Sequence, residues 1–286
     1  MNKCPYCNSV KIKYIRKIIS PYNQKVYKLH DCLSCQLTFF TPLIFEDIYE
    51  TSIASCYNDR HKGKIKITES SDKTCRYLKH KINTSKKILD IGASDCVNFI
   101  ALKKYCEINN NNYYALELDK KALEIGRRAG VKNILPYYFD KSILSKVKIK
   151  FDIIIATEVL EHQVDPKDFM ETSFKLLNKN GLLVITVPNK DRFFMKQREM
   201  PSDVPPHHFL KLNKKFFIKN FKKQLIHIED FHNRLSNYKS TSERLSRDIL
   251  KNKKYWYLFV PFIPFIRLFQ LIYKIRGDRL LIAFKK

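Results

Sequence analysis

The chain has 286 residues and is 44% hydrophobic, enough for one large α/β domain with a small appendage and too apolar for a chain without a core. Its formal net charge of +26 favours partners that carry phosphate, whether nucleic acid, anionic lipid, or a phosphorylated or nucleotide-linked small molecule. The lysines are more scattered than clustered, so a solvated basic surface is the simpler reading. The first residues lack the apolar run of a secretory leader. The eight cysteines therefore read as reduced thiols and metal ligands rather than disulfides, and the expected compartment is cytoplasmic.

Residues 1–42 read as a module of their own. Cys4, Cys7, Cys32 and Cys35 form two CxxC knuckles, and between them Lys11 to Ile15 and Lys25 to Leu29 alternate like strands around a turn at Ser20 to Asn23. So small a module has little core, and four thiolates on one Zn²⁺ would supply the missing stability. Residues 43–85 read as a connector. It has a helix start at Ile44 to Tyr49, a polar loop at Thr68 to Ser71, and a helix over Lys73 to Ile82.

From Lys87 strands and helices alternate, the pattern of a doubly wound α/β sheet. Strands are expected at Ile88 to Ile91, Tyr113 to Glu117, Asn133 to Tyr138, Phe151 to Ala156, Leu182 to Val187, Leu225 to Ile228 and Arg279 to Phe284. Helices are expected at Val97 to Glu107, Lys121 to Ala129 and Asp168 to Leu177, with a stop and turn at Asn178 to Gly181. The apolar stretch 255–275 lies in an insertion at 251–276. It is too short and proline-broken to span a membrane. Residues 251–286 carry nine Lys or Arg against one acid, Asp278. That composition suits peripheral membrane contact, the cap of a sheet or a dimer contact, with packing preferred.

Two of the strands end in an acid. Ile88 to Ile91 runs through Asp90 into the small-residue turn Gly92-Ala93-Ser94, and the next strand ends at Glu117. In a doubly wound sheet, ligands sit beyond the carboxyl ends of such strands, where Glu117 could accept hydrogen bonds from both hydroxyls of a ribose. Asp119 reads as a helix cap. Asp140 reads either as a cap or as an acceptor for an adenine amino group with Phe139 against the ring. Thr157 and Glu158 fall at the end of the fourth strand of the main domain. His162, His207 and His208 are candidate bases, since imidazole titrates near neutrality, and Pro205-Pro206 suggests a rigid loop under the last two.

Leu89-Asp90-Ile91-Gly92-Ala93-Ser94 resembles motif I of class I S-adenosylmethionine (SAM)-dependent methyltransferases. Phe151 to His162 resembles that family's fourth-strand motif, and Gly181 to Asn189 its fifth strand. The likeness covers roughly residues 85–230. The cysteine pairs and the run Pro205-Pro206-His207-His208 are similar to a bacterial subgroup with a zinc-ribbon head, some members of which methylate sugars. The resemblance implies an α/β, doubly wound, seven-stranded, mostly parallel sheet with an antiparallel last strand, here as a domain over 86–286. It implies SAM held by Asp90, Gly92, Ser94, Glu117, Asp140, Thr157 and Glu158, with Zn²⁺ as the second cofactor. The expected reaction is O-methylation of a sugar, nucleotide-sugar or other small molecule. Only Gly92 remains of the motif's glycines; Ser94 and Cys96 stand where glycine is usual, and the Cys96 side chain is expected to crowd the cofactor. Two alternatives are an RNA-modifying methyltransferase, suggested by the ribbon and the charge, and a non-catalytic binding protein on the same fold. The basic run Lys211 to Lys223 with its interleaved phenylalanines reads as an amphipathic helix with the aromatics in the core.

Overall fold

A computed structural model describes residues 3–44, 65–192, 203–231 and 277–286, together with 242, 246, 249–250, 252–265 and 268. Its centre is a sheet of seven strands in the order β10-β11-β8-β7-β4-β5-β6. The strands are β4 (Ile88–Ile91), β5 (Tyr113–Leu116), β6 (Asn133–Leu135), β7 (Phe151–Thr157), β8 (Leu177–Pro188), β10 (Leu225–Phe231) and β11 (Arg279–Lys285). The pairs among β6, β5, β4, β7 and β8 are parallel; β11 runs antiparallel to both β8 and β10. Every residue of β4 is buried, as a strand covered on both faces requires. The chain leaves β4 for β5 and β6 on one side, then returns to β7 and β8 on the other. The switch point therefore lies between β4 and β7, where open α/β sheets bind ligands.

Four of the helices that accompany the sheet are α1 (Glu69–Leu78), α2 (Val97–Tyr105), α3 (Lys120–Arg128) and α5 (Pro166–Leu176), with a single turn α4 (Ile143–Lys146) before β7. Two local expectations change. Thr68 to Ser71 is not a loop: the Thr68 hydroxyl accepts from Ser71 N at 3.1 Å and caps α1, and Ser70 and Ser71 are buried. Asn178 to Gly181 is not a turn between elements: β8 begins at Leu177 and absorbs the stretch with Asn180 at φ 63° and a register shift against β7.

The N-terminal residues form a second sheet, β1 (Ile12–Ile19), β2 (Val26–Cys32), β3 (Thr38–Thr41) and β9 (Leu210–Lys211). The fourth strand comes from the far side of the sequence, immediately after the two prolines and two histidines. Phe40 N donates to Phe209 O at 2.9 Å, and Ser20 Oγ donates to Pro205 O at 2.7 Å. Helix α6 (Lys214–Asn220) closes the seam. Its Phe216 and Phe217 are fully buried, Tyr6 packs edge-on to Phe216 at 5.0 Å, and Asn220 Nδ2 donates to Cys35 O at 2.9 Å. The aromatics of the basic run are thus core, while Lys215, Lys219, Lys222 and Lys223 are exposed. The expected helix at Ile44 to Tyr49 falls on residues 45–64, outside the described residues. Of the 255–275 stretch, Lys253–Phe262 forms a 3-10 helix with Tyr255, Tyr257, Leu258 and Phe262 exposed. Among the described residues no helix is long and apolar enough to cross a membrane.

Candidate active site

The turn after β4 closes against the end of β5. Gly92 N and Ala93 N donate to Leu116 O at 2.8 and 3.1 Å, and Ser94 N donates to Glu117 Oε2 at 2.8 Å. The other carboxylate oxygen of Glu117 accepts from Leu118 N and Asp119 N. Three residues of this turn hold left-handed backbone: Gly92 at φ 65°, Ser94 at 48° and Cys96 at 55°. The two positions where the family has glycine therefore keep a glycine-like conformation without glycine, at a cost of order 1 kcal/mol each. A Cβ on Gly92 would lie 2.8 Å from Val159 Cγ2, so the glycine serves contact as well as conformation. Cys96 corrects the expectation of crowding. Its side chain is fully buried, and its Sγ lies 2.5 Å from where a Cβ on Gly126 of α3 would stand. The thiol fills the notch left by that glycine instead of an open crevice.

Asp90 is fully buried beneath the same turn. Asn98 Nδ2 donates to one of its oxygens at 2.9 Å and the Tyr113 hydroxyl to the other. Burial drives its pKa up to about 7 against the pull of those two donors. Asn98 also donates to Thr157 Oγ1 at 3.1 Å, so one amide ties the ends of β4 and β7 together. Glu158, at φ 56°, is held between Ser70 Oγ at 2.9 Å and Arg279 Nε at 3.3 Å. Asp140 Oδ1 accepts from Ser142 N at 2.8 Å and shapes the entry to α4. Phe139 is buried edge-on against Phe169 at 5.1 Å, so the ring expected against adenine lies in the core.

The three histidines come together although 45 residues separate His162 from His207. The ring centroids of His162 lie 4.7 Å from those of both His207 and His208, and one ring atom from each of the three falls within 4.8 Å of the others. His162 Nδ1 sits 2.5 Å from His207 O and must donate to it. Burial, then the two neighbouring rings, push its pKa well below the ordinary value, so the ring is neutral. Glu161 lies under the cluster, 1% exposed. Neither of its oxygens accepts a hydrogen bond among the described residues, and burial together with Glu158 pushes its pKa well up. Asp203 stands 3.6 Å from His208 Nδ1 and 2.5 Å from an Arg192 nitrogen. Burial opposes its charge, but His208 and Arg192 outweigh burial and hold it down to about 2. His208 and Asp203 also line a cavity of about 320 Å³ at the seam between the two sheets, with Arg16, Lys190, Arg192 and Lys211 on its walls.

The four N-terminal cysteines converge as their spacing requires. Cys4 Sγ lies 3.5 Å from Cys35 Sγ, Cys7 Sγ lies 3.5 Å from Cys32 Sγ, and all four sulfurs fall within 4.8 Å of one another. Four sulfurs at about 2.3 Å from one tetrahedral ion stand about 3.8 Å apart, so the set suits zinc with little movement. The hydrogen bond from Cys35 holds the Cys4 thiol down to about 5, while giving that proton and burial push Cys35 up.

Asn98, Tyr113, Glu161, Asp203 and Arg192 are site residues that the sequence reading missed. Asn98 carried one signal, a lone amide in an apolar stretch. Tyr113 sits in a strand whose pattern explains it without a partner. Glu161 read as part of a motif rather than as a buried acid.

A doubly wound sheet of this strand order, with an acid closing the first βα turn from the next strand, defines the class I SAM-dependent methyltransferase fold. The chain belongs to that family: the family described as "Methyltransferase domain" matches residues 65–237. It is 33% identical over 106 residues to the ubiquinone biosynthesis O-methyltransferase of Pelagibacter ubique, covering 36% of this chain and 42% of that protein. It is 23% identical over 124 residues to the same-named protein of Haemophilus ducreyi, covering 40% of this chain and 51% of that one. The chain thus spans about half the length of the curated relatives it matches. Among solved structures, the SAM complex of Haemonchus contortus phosphoethanolamine N-methyltransferase 2 aligns with TM-score 0.53 at 14% identity, over 84% of this chain and 59% of that one. A chain from the complex of the Haloferax volcanii Trm112 methyltransferase activator with a methyltransferase aligns with TM-score 0.56 at 12% identity, over 81% of this chain and 94% of that one.

Proposed function

We propose that this chain transfers a methyl group from SAM to an oxygen of a small polar acceptor, of the sugar or nucleotide-sugar class. One observation carries the reading: at the switch point of the sheet, a turn with three left-handed residues in five closes onto the Glu117 carboxylate. SAM supplies a methyl group already activated on a sulfonium, so the protein needs few dedicated catalytic groups. Glu117 would hold a ribose hydroxyl, since Oε2 accepts one hydrogen bond among the described residues and keeps a lone pair for another. Asp90 and Asn98 would fix the turn near the methionine amino group. Gly92 and Ser94 would give the backbone close approach, Thr157 and Glu158 would wall the pocket, and Asp140 would take the adenine amino group. Zn²⁺ on Cys4, Cys7, Cys32 and Cys35 would hold the N-terminal sheet against the histidine loop.

The acceptor would enter the seam cavity. Its volume suits a monosaccharide or the head of a larger molecule, and its walls mix cations with Asp31 and Asp203, which pair with Lys190 and Arg192, a lining suited to a polar acceptor. His208, which lines that wall with the other two histidines beside it, would act on the acceptor hydroxyl. Both curated relatives are named O-methyltransferases, which supports oxygen as the methylated atom. The test is transfer of labelled methyl to a panel of sugars, nucleotide sugars and RNA, with the wild type and with His207→Ala/His208→Ala. The expected result is O-methyl product on a small acceptor, a loss of about 10²–10⁴-fold in turnover in the double variant, and unchanged SAM affinity. Labelled RNA alone, or unchanged turnover in the double variant, contradicts the proposal.

A further inference from the structure

We infer that His162, His208 and Glu161, with His207 beside them, form a second metal centre, a two-histidine, one-carboxylate site for a divalent transition ion such as Zn²⁺. The inference rests on the reading above that the cluster serves the acceptor oxygen. Each of the two key imidazoles has its Nδ1 engaged from behind. His162 Nδ1–H donates to the His207 carbonyl at 2.5 Å, and the Asp203 carboxyl group lies 3.6 Å from His208 Nδ1. The Nε2 atoms of the two rings lie near one carboxylate oxygen. His162 Nε2 lies 4.0 Å and His208 Nε2 3.9 Å from Glu161 Oε1. Metal-binding histidines are characteristically oriented in this way, by a carbonyl or carboxylate on the far nitrogen.

The carboxylate is the second observation. Glu161 is 1% exposed, and neither oxygen accepts a hydrogen bond among the described residues. A buried acid without a hydrogen-bond partner is costly, and a cation bound at this point would offset that cost. Arg192 binds Asp203, and Arg279, which attracts Glu161 from a distance, makes its ion pair with Glu158. Ligand atoms at about 2.0–2.2 Å from a tetrahedral ion stand about 3.3 Å apart. The observed 3.9 and 4.0 Å need a contraction of about 0.6 Å, within reach of side-chain rotation alone. His162, His207 and His208 each place a ring atom within 4.8 Å of the other two, which makes His207 the further ligand beside Glu161. Because His208 also lines the seam cavity, an ion here would be open to an acceptor hydroxyl, whose proton it would make more acidic.

The experiment is a Co²⁺ titration of the intact chain with its four-cysteine site first filled with zinc, read by visible absorption and by total metal content. The expected result is one equivalent of Co²⁺ with weak d–d bands of nitrogen and oxygen ligation and no sulfur charge-transfer band. Glu161→Gln, which preserves shape, should weaken that binding at least about 100-fold. Asp203→Asn, which only loosens the orientation of His208, should weaken it about 10–100-fold. Both should keep the wild-type circular dichroism and bind SAM as before. Absence of the nitrogen–oxygen spectrum, or its persistence at unchanged affinity in Glu161→Gln, overturns the inference. SAM affinity, measured on the same samples, reports separately on the methyltransferase reading.

Discussion

Asp90 carries the sharpest thermodynamic consequence of this fold. It is a carboxyl with no accessible surface, moved by burial from an ordinary 3.8 to about 7. The folded chain therefore binds its proton more tightly than the unfolded chain does. The stability it contributes is complete below about pH 4, declines as the pH rises, and is fully lost above about pH 7. Each pH unit of displacement is worth about 1.36 kcal/mol, so the ionised carboxylate costs the fold about 4 kcal/mol at pH 8. Asp90→Asn removes the charge and keeps the shape. Asn98 can still donate to the amide oxygen, and the Tyr113 hydroxyl can rotate to accept from the amide nitrogen. The variant should gain about 3–4 kcal/mol at pH 8 and almost nothing at pH 4. Urea unfolding of both proteins at the two pH values, without SAM, measures the difference directly. A variant less stable than wild type at pH 8, or a gap that does not change with pH, would refute the placement of Asp90 as a buried, proton-retaining anchor of the turn.

Gly126→Ala should cost about 1–3 kcal/mol by pressing a methyl onto Cys96 Sγ. Adding Cys96→Gly should recover most of that loss, because the second glycine empties the contact and suits φ 55°; urea denaturation of the four proteins in the cycle gives the coupling, and additive effects would contradict the contact. A strong chelator, by removing the ion proposed for the four-cysteine set, should expose its clustered thiols to a thiol reagent. It should also lower methyl transfer about 100-fold with SAM affinity retained, since β9 leaves the histidine loop directly into the ribbon sheet. Retained turnover after quantitative thiol labelling would separate the ribbon from the acceptor site.

The main sheet was legible because its information is local. Ile88 to Ile91 and Phe151 to Ala156 are apolar but for Asp90 and Asp152, the pattern of strands covered on both faces, and small or polar residues follow each, Gly92 to Ser94 and Thr157 to Glu158. The convergence of the four cysteines was legible for the same reason, since each short CxxC spacing brings its two thiols together. The seam was not. β3 pairs with β9 across some 170 residues, so nothing near Thr38 announces Leu210 and nothing near His208 announces Asp31 or Lys190. The role of Cys96 was misread because the sequence shows a missing glycine but not the glycine at 126 that compensates for it across the helix. Glu161 was overlooked because its burial is a property of the loop packed over it, which Phe209 N fastens by donating to the Glu161 carbonyl at 2.9 Å.

The central claim is that the carboxyl ends of β4 and β5 hold SAM through Glu117. Isothermal calorimetry of SAM against the wild type, Glu117→Gln and Glu117→Ala tests it most directly. Saturable one-to-one binding to the wild type, weakened on the order of 100-fold in Glu117→Ala and less in Glu117→Gln, is the predicted result. No heat with the wild type at saturating SAM, or equal affinity in all three proteins, would contradict it.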